Sequence, residues 1–184
     1  MSEEILIRQG APTLAGIKTG SLFPCPCENR EALLADIRQL NRRLSPKGRA
    51  CCRSTFCWGR RSFYLYRPAG LRRDLRDVQA SELLRQAGYG DESCARCVAR
   101  LACRFREGKE FPHEVGLFLG YPSEDVSGFI TNGAKGAKCV GTWKVYGDEA
   151  AAQKKFALYR KCTRVYREAY GRHRSLSRLT VLAH

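Results

Sequence analysis

Cys52-Arg53-Ser54-Thr55-Phe56-Cys57-Trp58-Gly59-Arg60-Arg61-Ser62-Phe63-Tyr64-Leu65-Tyr66-Arg67 reads as a β-hairpin. Two arms, Cys52 to Trp58 and Ser62 to Arg67, flank Gly59-Arg60-Arg61, and Pro68-Ala69-Gly70 ends the second. In that second arm Phe63 and Leu65 alternate with Tyr64 and Tyr66, so both faces of the strand carry apolar bulk. A hairpin argues against a purely parallel, doubly wound sheet. With helical patterns on either side, the expected class is α+β. The reading is a single domain over residues 1–184, with a small mixed or mainly antiparallel sheet of four or five strands packed with six or seven helices.

Outward from the hairpin, periodicity assigns the rest. Leu33, Ile37, Leu40 and Leu44 form the stripe of a helix capped by Asn29, with Arg38, Arg42 and Arg43 facing outward. Helices follow at about 71–77, 79–87 and 92–106. On the last, capped by Asp91, Cys94, Cys97, Val98, Leu101 and Phe105 fall on one face and Cys103 on the other. A helix over 123–132 stops at Gly133, and the longest, about 149–170, is capped by Asp148. Its core stripe is Ala152, Phe156, Tyr159, Thr163, Tyr166 and Tyr170, while Lys154, Arg160, Lys161, Arg164 and Arg167 occupy the remaining face. A short helix is expected over 3–9 and a short helix or strand over 176–182. Strands are expected at Thr13–Thr19 (resumed by Leu22-Phe23), Glu114–Tyr121 and Lys138–Tyr146. The last two are expected to lie side by side, so that their flanking loops share one concave surface.

Hydrophobic residues at 43% and charged residues at 28% exclude a disordered or fibrous chain. No apolar run approaches the roughly 18 residues of a membrane span. The start, Met1-Ser2-Glu3-Glu4, is acidic where an export signal is basic, so a cytoplasmic location without membrane attachment is expected. Arg supplies most of a formal net charge of +15, and the excess is greatest in the last 34 residues. A field of this sign attracts phosphates, carboxylates and nucleic acid. The expected partner is therefore an anionic ligand, either a small phosphorylated or carboxylated molecule or a nucleic acid.

Ten cysteines without an export signal argue for reduced thiols rather than a disulfide framework. Only Cys94-Ala95-Arg96-Cys97 has zinc-knuckle spacing, and no second C-x-x-C exists, so no metal site is assigned. The pair reads first as core. A C-x-x-C at a helix N-terminus also keeps a redox dithiol open, although a thioredoxin-type site would place a strand before that turn, and Ser81 to Ala87 looks helical.

Three further runs carry candidate chemistry. Gly16-Ile17-Lys18-Thr19-Gly20 resembles a phosphate loop superficially but breaks the Walker spacing. Phe111-Pro112-His113-Glu114-Val115-Gly116-Leu117-Phe118-Leu119-Gly120-Tyr121-Pro122 places a titratable pair before an apolar run. Cys139-Val140-Gly141-Thr142-Trp143-Lys144-Val145-Tyr146-Gly147-Asp148 alternates Cys139 and Trp143 with Lys144 and Tyr146. From these runs Lys18, Thr19, His113, Tyr121, Lys144 and Tyr146 are the candidate ligand-binding residues. His113 and Cys139 are the candidate catalytic pair, since a thiol nucleophile needs a base within reach. The alternative to a binding module is a thiol- or His-dependent enzyme, or a metal or redox protein, using His113, Cys139 or Cys162. No cofactor is assigned.

Taken together, Pro12 to Gly20, Phe111 to Pro122 with Glu124-Asp125-Val126 and Gly128-Phe129-Ile130, Cys139 to Asp148, and Lys161-Cys162-Thr163-Arg164-Val165-Tyr166 resemble the bacterial family called domain of unknown function 3793. The resemblance runs from about residue 3 to 181. It implies a single-domain cytoplasmic protein, typically from anaerobic bacteria, and carries over no activity, cofactor or catalytic residue. Thr142 departs from the family pattern, which often has a second Cys there; this weakens any Cys-pair function around Cys139.

Overall fold

A computed structural model describes residues 3–24, 30–44, 51–57, 60–90, 92–107 and 110–181. The caps assigned to Asn29 and Asp91 and the turn residues Trp58-Gly59 lie outside them. The described elements are α1 (Glu3–Leu14), β1 (Gly20–Pro24), α2 (Arg30–Leu44), β2 (Cys51–Cys57), β3 (Arg60–Tyr66), α3 (Pro68–Leu75), α4 (Val78–Gln86), α5 (Cys94–Glu107) and α6 (Val115–Phe118). They continue with α7 (Ser123–Asn132), β4 (Cys139–Val140), β5 (Lys144–Val145), α8 (Glu149–His173) and α9 (Leu176–Leu179). The class is α+β, as the hairpin indicates.

β3 is the central strand of an antiparallel sheet in the order β1-β3-β2, with Gly20 opposite Tyr66 and Phe23 opposite Phe63. Its two apolar faces serve two different cores. Phe63 and Leu65 pack with Leu6, Leu14, Leu33, Leu44 and Leu176 from α1, α2 and α9. Tyr64, one residue along and therefore on the opposite face, packs with Leu71, Leu84, Val98, Leu101 and Phe118 from α3 to α6. A third cluster joins Trp143 and Val145 to Ala152, Phe156 and Tyr159 of α8. The stripes of α2 and α5 are buried as the 3.6-residue period requires, Cys94 being only half-buried.

Three expected strands are corrected. The segment expected as a strand from Thr13 is helical at its start: α1 runs through Pro12 to Leu14, and β1 starts only at Gly20. Gly10 to Leu14 are all buried, and Gly10 lies so close to Leu65 that an added Cβ would stand 2.6 Å from Cδ2. Packing therefore outweighs the breaking tendency of Gly and Pro. Glu114 to Tyr121 is not a strand but the single turn α6. Its run is apolar on every side, which period-2 counting misreads. Tyr121 N–H closes it onto Gly116 O at 3.0 Å, and Gly120 adopts φ +75° to reverse the chain. Lys138 to Tyr146 is not one strand but the β4-β5 hairpin, Gly141 N–H donating to Trp143 O at 2.9 Å. The expected pairing of strands 114–121 and 138–146 therefore does not occur. The five described strands form two separate sheets. Among the described residues, no helix is long and apolar enough to cross a membrane.

Candidate functional site

Lys18 is placed by the end of α1. Both Ile17 N–H and Lys18 N–H donate to Pro12 O, at 3.0 and 3.1 Å, and Gly16 at φ +79° makes the reversal possible. Thr19 follows, buried, its hydroxyl donating to the Asp74 carboxylate at the end of α3. Gly120 abuts Thr19 and sets Tyr121 beside them. The Tyr121 ring stacks on Trp143, with centroids 4.7 Å apart, and the Lys18 ammonium stands 5.4 Å above it. Three of the six candidate binding residues, Lys18, Thr19 and Tyr121, thus converge. They line a pocket of about 360 Å³ together with Asp74, Asp77 and Lys155.

Lys18 also opens onto a larger groove of about 860 Å³ between α1 and α8. Arg8, Lys18, Arg160, Arg164, Arg167 and Arg174 line it against only two carboxylates, Glu4 and Glu168. Tyr159, Tyr170 and Phe156 supply aromatic wall. Among the described residues no ion pair engages any of the five arginines. The basic face of α8 is visible in the sequence. That it confronts α1, and so forms a groove rather than a solvated surface, is not. Arg8 and Arg174 lie outside the expected set. Their signal is only their spacing relative to the other cations.

The remaining candidates lie elsewhere. His113 is exposed, its ring wedged edge-on against Phe111 and Phe129 at 5.2 and 5.0 Å. Lys144 reaches the same Phe129 ring, 5.4 Å from its centroid. The Tyr146 hydroxyl donates to Gly133 O beyond the end of α7. None of these three lines the groove or the pocket. Glu114 is buried and structural, accepting from Tyr89 Oη at 3.1 Å and pairing with Arg104 Nε at 2.7 Å. Burial and the Glu114 charge together push the Tyr89 phenol well above its usual range. Cys139 contacts Glu149 and Gln153, and lost solvation with the Glu149 charge pushes its thiol up. Its partners are not those of His113, so the structure gives the Cys139-His113 pair no base-nucleophile contact. Cys162 on α8 is likewise raised by burial. Among the described residues, no group of three or more His, Cys, Asp and Glu could hold a metal ion.

Burial lowers the Lys18 pKa to about 8. The unfolded chain then holds this proton more tightly than the fold does, so its contribution raises stability as pH climbs from about 8 towards 10.5. Burial raises the Cys97, Cys139 and Cys162 thiols, which pull the other way near pH 9, so the informative quantity is a difference between two proteins. Lys18→Met is expected to be more stable than the native chain at pH 7, and the gap should narrow markedly by pH 10. Urea midpoints at the two pH values check this; a gap independent of pH would contradict the buried amine.

Residues 6–180 match the family described as Protein of unknown function (DUF3793), and the chain belongs to it. Comparison with curated proteins and with solved structures gave no match.

Proposed function

We propose that this DUF3793 protein is a binding module whose ligand is an extended phosphate chain, a single-stranded nucleic acid, seated between α1 and α8. The observation that carries the reading is the groove itself, where six cations face two carboxylates. Arg160, Arg164 and Arg167 recur at about one-turn spacing and Arg174 follows two turns on, at the C-cap of α8, so the row extends along roughly 21 Å at 1.5 Å per residue. One phosphate satisfies one or two such guanidiniums; a row needs several phosphates. Tyr159 and Tyr170 offer ring faces of the kind on which bases stack without sequence preference. The pocket at Lys18, Thr19 and Tyr121 adjoins the groove and suits a terminal phosphate or a compact phosphorylated ligand, the second reading.

The test is fluorescence anisotropy with a labelled single-stranded oligonucleotide over a salt series. In the Arg160→Ala/Arg164→Ala/Arg167→Ala variant, the slope of log affinity against log salt should flatten by about 2, because each phosphate that a cation neutralises on a single strand contributes about 0.7. Arg38→Ala/Arg42→Ala, which removes exposed charge from α2 instead, should leave the slope unchanged. Equal effects from both variants would reduce the groove to net charge and overturn the proposal. Displacement of the oligonucleotide by inorganic triphosphate at equal concentration would favour the compact ligand.

A further inference from the structure

α3, α4 and the start of α5 line a cavity of about 630 Å³ that shares no residue with the groove. Arg72, Arg76, Arg85 and Tyr89 line it, and so do Cys94 and Cys97. α5 starts at Cys94, so the C-x-x-C occupies its first turn. Cys94 is half-buried and Cys97 is 5% exposed behind it, and neither is disulfide-bonded. Residues three apart on a helix have Cβ atoms about 5–6 Å apart, which is close enough for rotamer change and slight adjustment of the first turn to bridge them. We propose that Cys94 and Cys97 form a dithiol that exchanges with low-molecular-weight disulfides bearing carboxylates, of which glutathione disulfide is the test case.

Three observations support this and are independent of the groove. The two thiols are graded in exposure, as an attacking and a resolving sulfur must be. Arg72 and Arg76 line the cavity and form no ion pair among the described residues, so they are available to an incoming carboxylate. Ser93 leads into the helix, its hydroxyl accepting from Arg96 N–H at 3.4 Å, and Cys94 thus stands in the first turn of α5, on a cavity wall where Arg72, Arg76 and Arg85 outnumber the one carboxylate, Glu92. The Cys97 thiol donates to Glu92 O at 3.8 Å, and burial and the Glu92 charge push it up. It therefore stays protonated until the first step is complete. The chain arrives from α4 through a loop rather than from a strand, but the exchange depends on the sulfurs and the helix end, not on what precedes them.

The steps balance. Cys94, as thiolate, attacks one sulfur of the disulfide; the Cys94–S–S–R bond forms, the S–S bond of the ligand breaks, and the first thiolate leaves. Cys97 then loses its proton and attacks the Cys94 sulfur, forming the Cys94–Cys97 disulfide and expelling the second thiolate. The protein dithiol is oxidised by two electrons, the ligand is reduced to two thiols, and the two protons end on those thiols.

In the native protein, brief iodoacetamide labelling at pH 7.5 followed by peptide mass mapping should modify Cys94 about tenfold or more faster than Cys103 or Cys162. With glutathione disulfide, the native chain should accumulate the 94–97 bridge, while Cys97→Ser should stall with glutathione on Cys94. Labelling of Cys94 no faster than Cys103 in the native chain would overturn the proposal without relying on any variant. So would a glutathione adduct that forms equally in Cys94→Ser. Either failure leaves the oligonucleotide result untouched.

Discussion

Arg67→Leu is expected to lower stability by about 3 kcal/mol, at about 1–3 kcal/mol for each buried carbonyl left short of a partner. Arg67 stands at the end of β3 and is 6% exposed. Its Nε donates to Thr13 O at 2.8 Å, and Nη2 donates to Leu14 O at 2.7 Å and Val181 O at 2.8 Å. Thr13 and Leu14 end α1, where carbonyls lack helical partners and the helix dipole is negative. The planar guanidinium, with five donors spread over a fixed fork, meets three such separated oxygens from a single stem. Its backbone also joins the turn to the next helix: Arg67 N–H donates to Thr19 O, and Arg67 O accepts from Leu71 N–H. Gly16 N–H and Val181 N–H still donate to Thr13 O and Leu14 O in the variant, which keeps the loss near 3 kcal/mol rather than higher. Arg67→Lys keeps the charge but reaches fewer carbonyls and should cost about half as much. Thermal unfolding should show a fall of about 9 °C for Arg67→Leu, at about 3 °C per kcal/mol for a chain of this size. An unchanged midpoint would mean that the three carbonyls do not depend on this residue. Because Lys18 lies on the turn that Arg67 ties down, the variant should also weaken oligonucleotide binding.

How much of this is readable in the sequence depends on where the information sits. Leu33, Ile37, Leu40 and Leu44, or Cys97, Val98, Leu101 and Phe105, carry their burial in their spacing, and the structure buries them all. The α7 bounds are readable because Pro122 and Gly133 punctuate both ends. Val115 to Leu119 is not, because an unbroken apolar run has no polar face to reveal its period. What turns it into α6 is Gly116 lying against Val126, where a Cβ would stand 2.7 Å from a methyl carbon. Gly141 reads as easily within a strand as at a turn; it is placed by the Phe156 ring of a helix that comes later in the chain. The site divides the same way. A false phosphate loop singles out Lys18 and Thr19, and the run from Phe111 to Pro122 singles out Tyr121. What brings them together is Gly120 against Thr19, a contact across about a hundred residues. His113 stands out for its chemistry alone, and its ring is occupied by two phenylalanines.

Asp125→Ala is expected to cost about 4 kcal/mol, because it deprives three donors of a buried carboxylate and hydrogen bonds to charged groups each contribute about 1.5–3 kcal/mol. Asp125 is 3% exposed in the first turn of α7, where the helix dipole favours a negative charge. One oxygen accepts from Trp143 Nε1 at 2.7 Å; the other accepts from the backbone of Tyr146 and Gly147 at 2.7 and 2.8 Å. These bonds hold the β4-β5 hairpin, whose strands are two residues long and have little stability of their own. Asp125→Asn presents an oxygen to one side only and turns an amide N–H₂ towards donors on the other, so about half of the loss should remain. The effect reaches the groove through stacked rings: Trp143 supports Tyr121, and Tyr121 lies beneath the Lys18 ammonium. Loosening Trp143 should admit water around Lys18 and return its pKa from about 8 towards 10.5. The pH-dependent gap between the native chain and Lys18→Met should therefore shrink when both carry Asp125→Asn. Urea unfolding of the four proteins at pH 7 and pH 10 measures both effects at once. A full-sized gap in the Asp125→Asn background would show that α7 holds the hairpin without shaping the surroundings of Lys18.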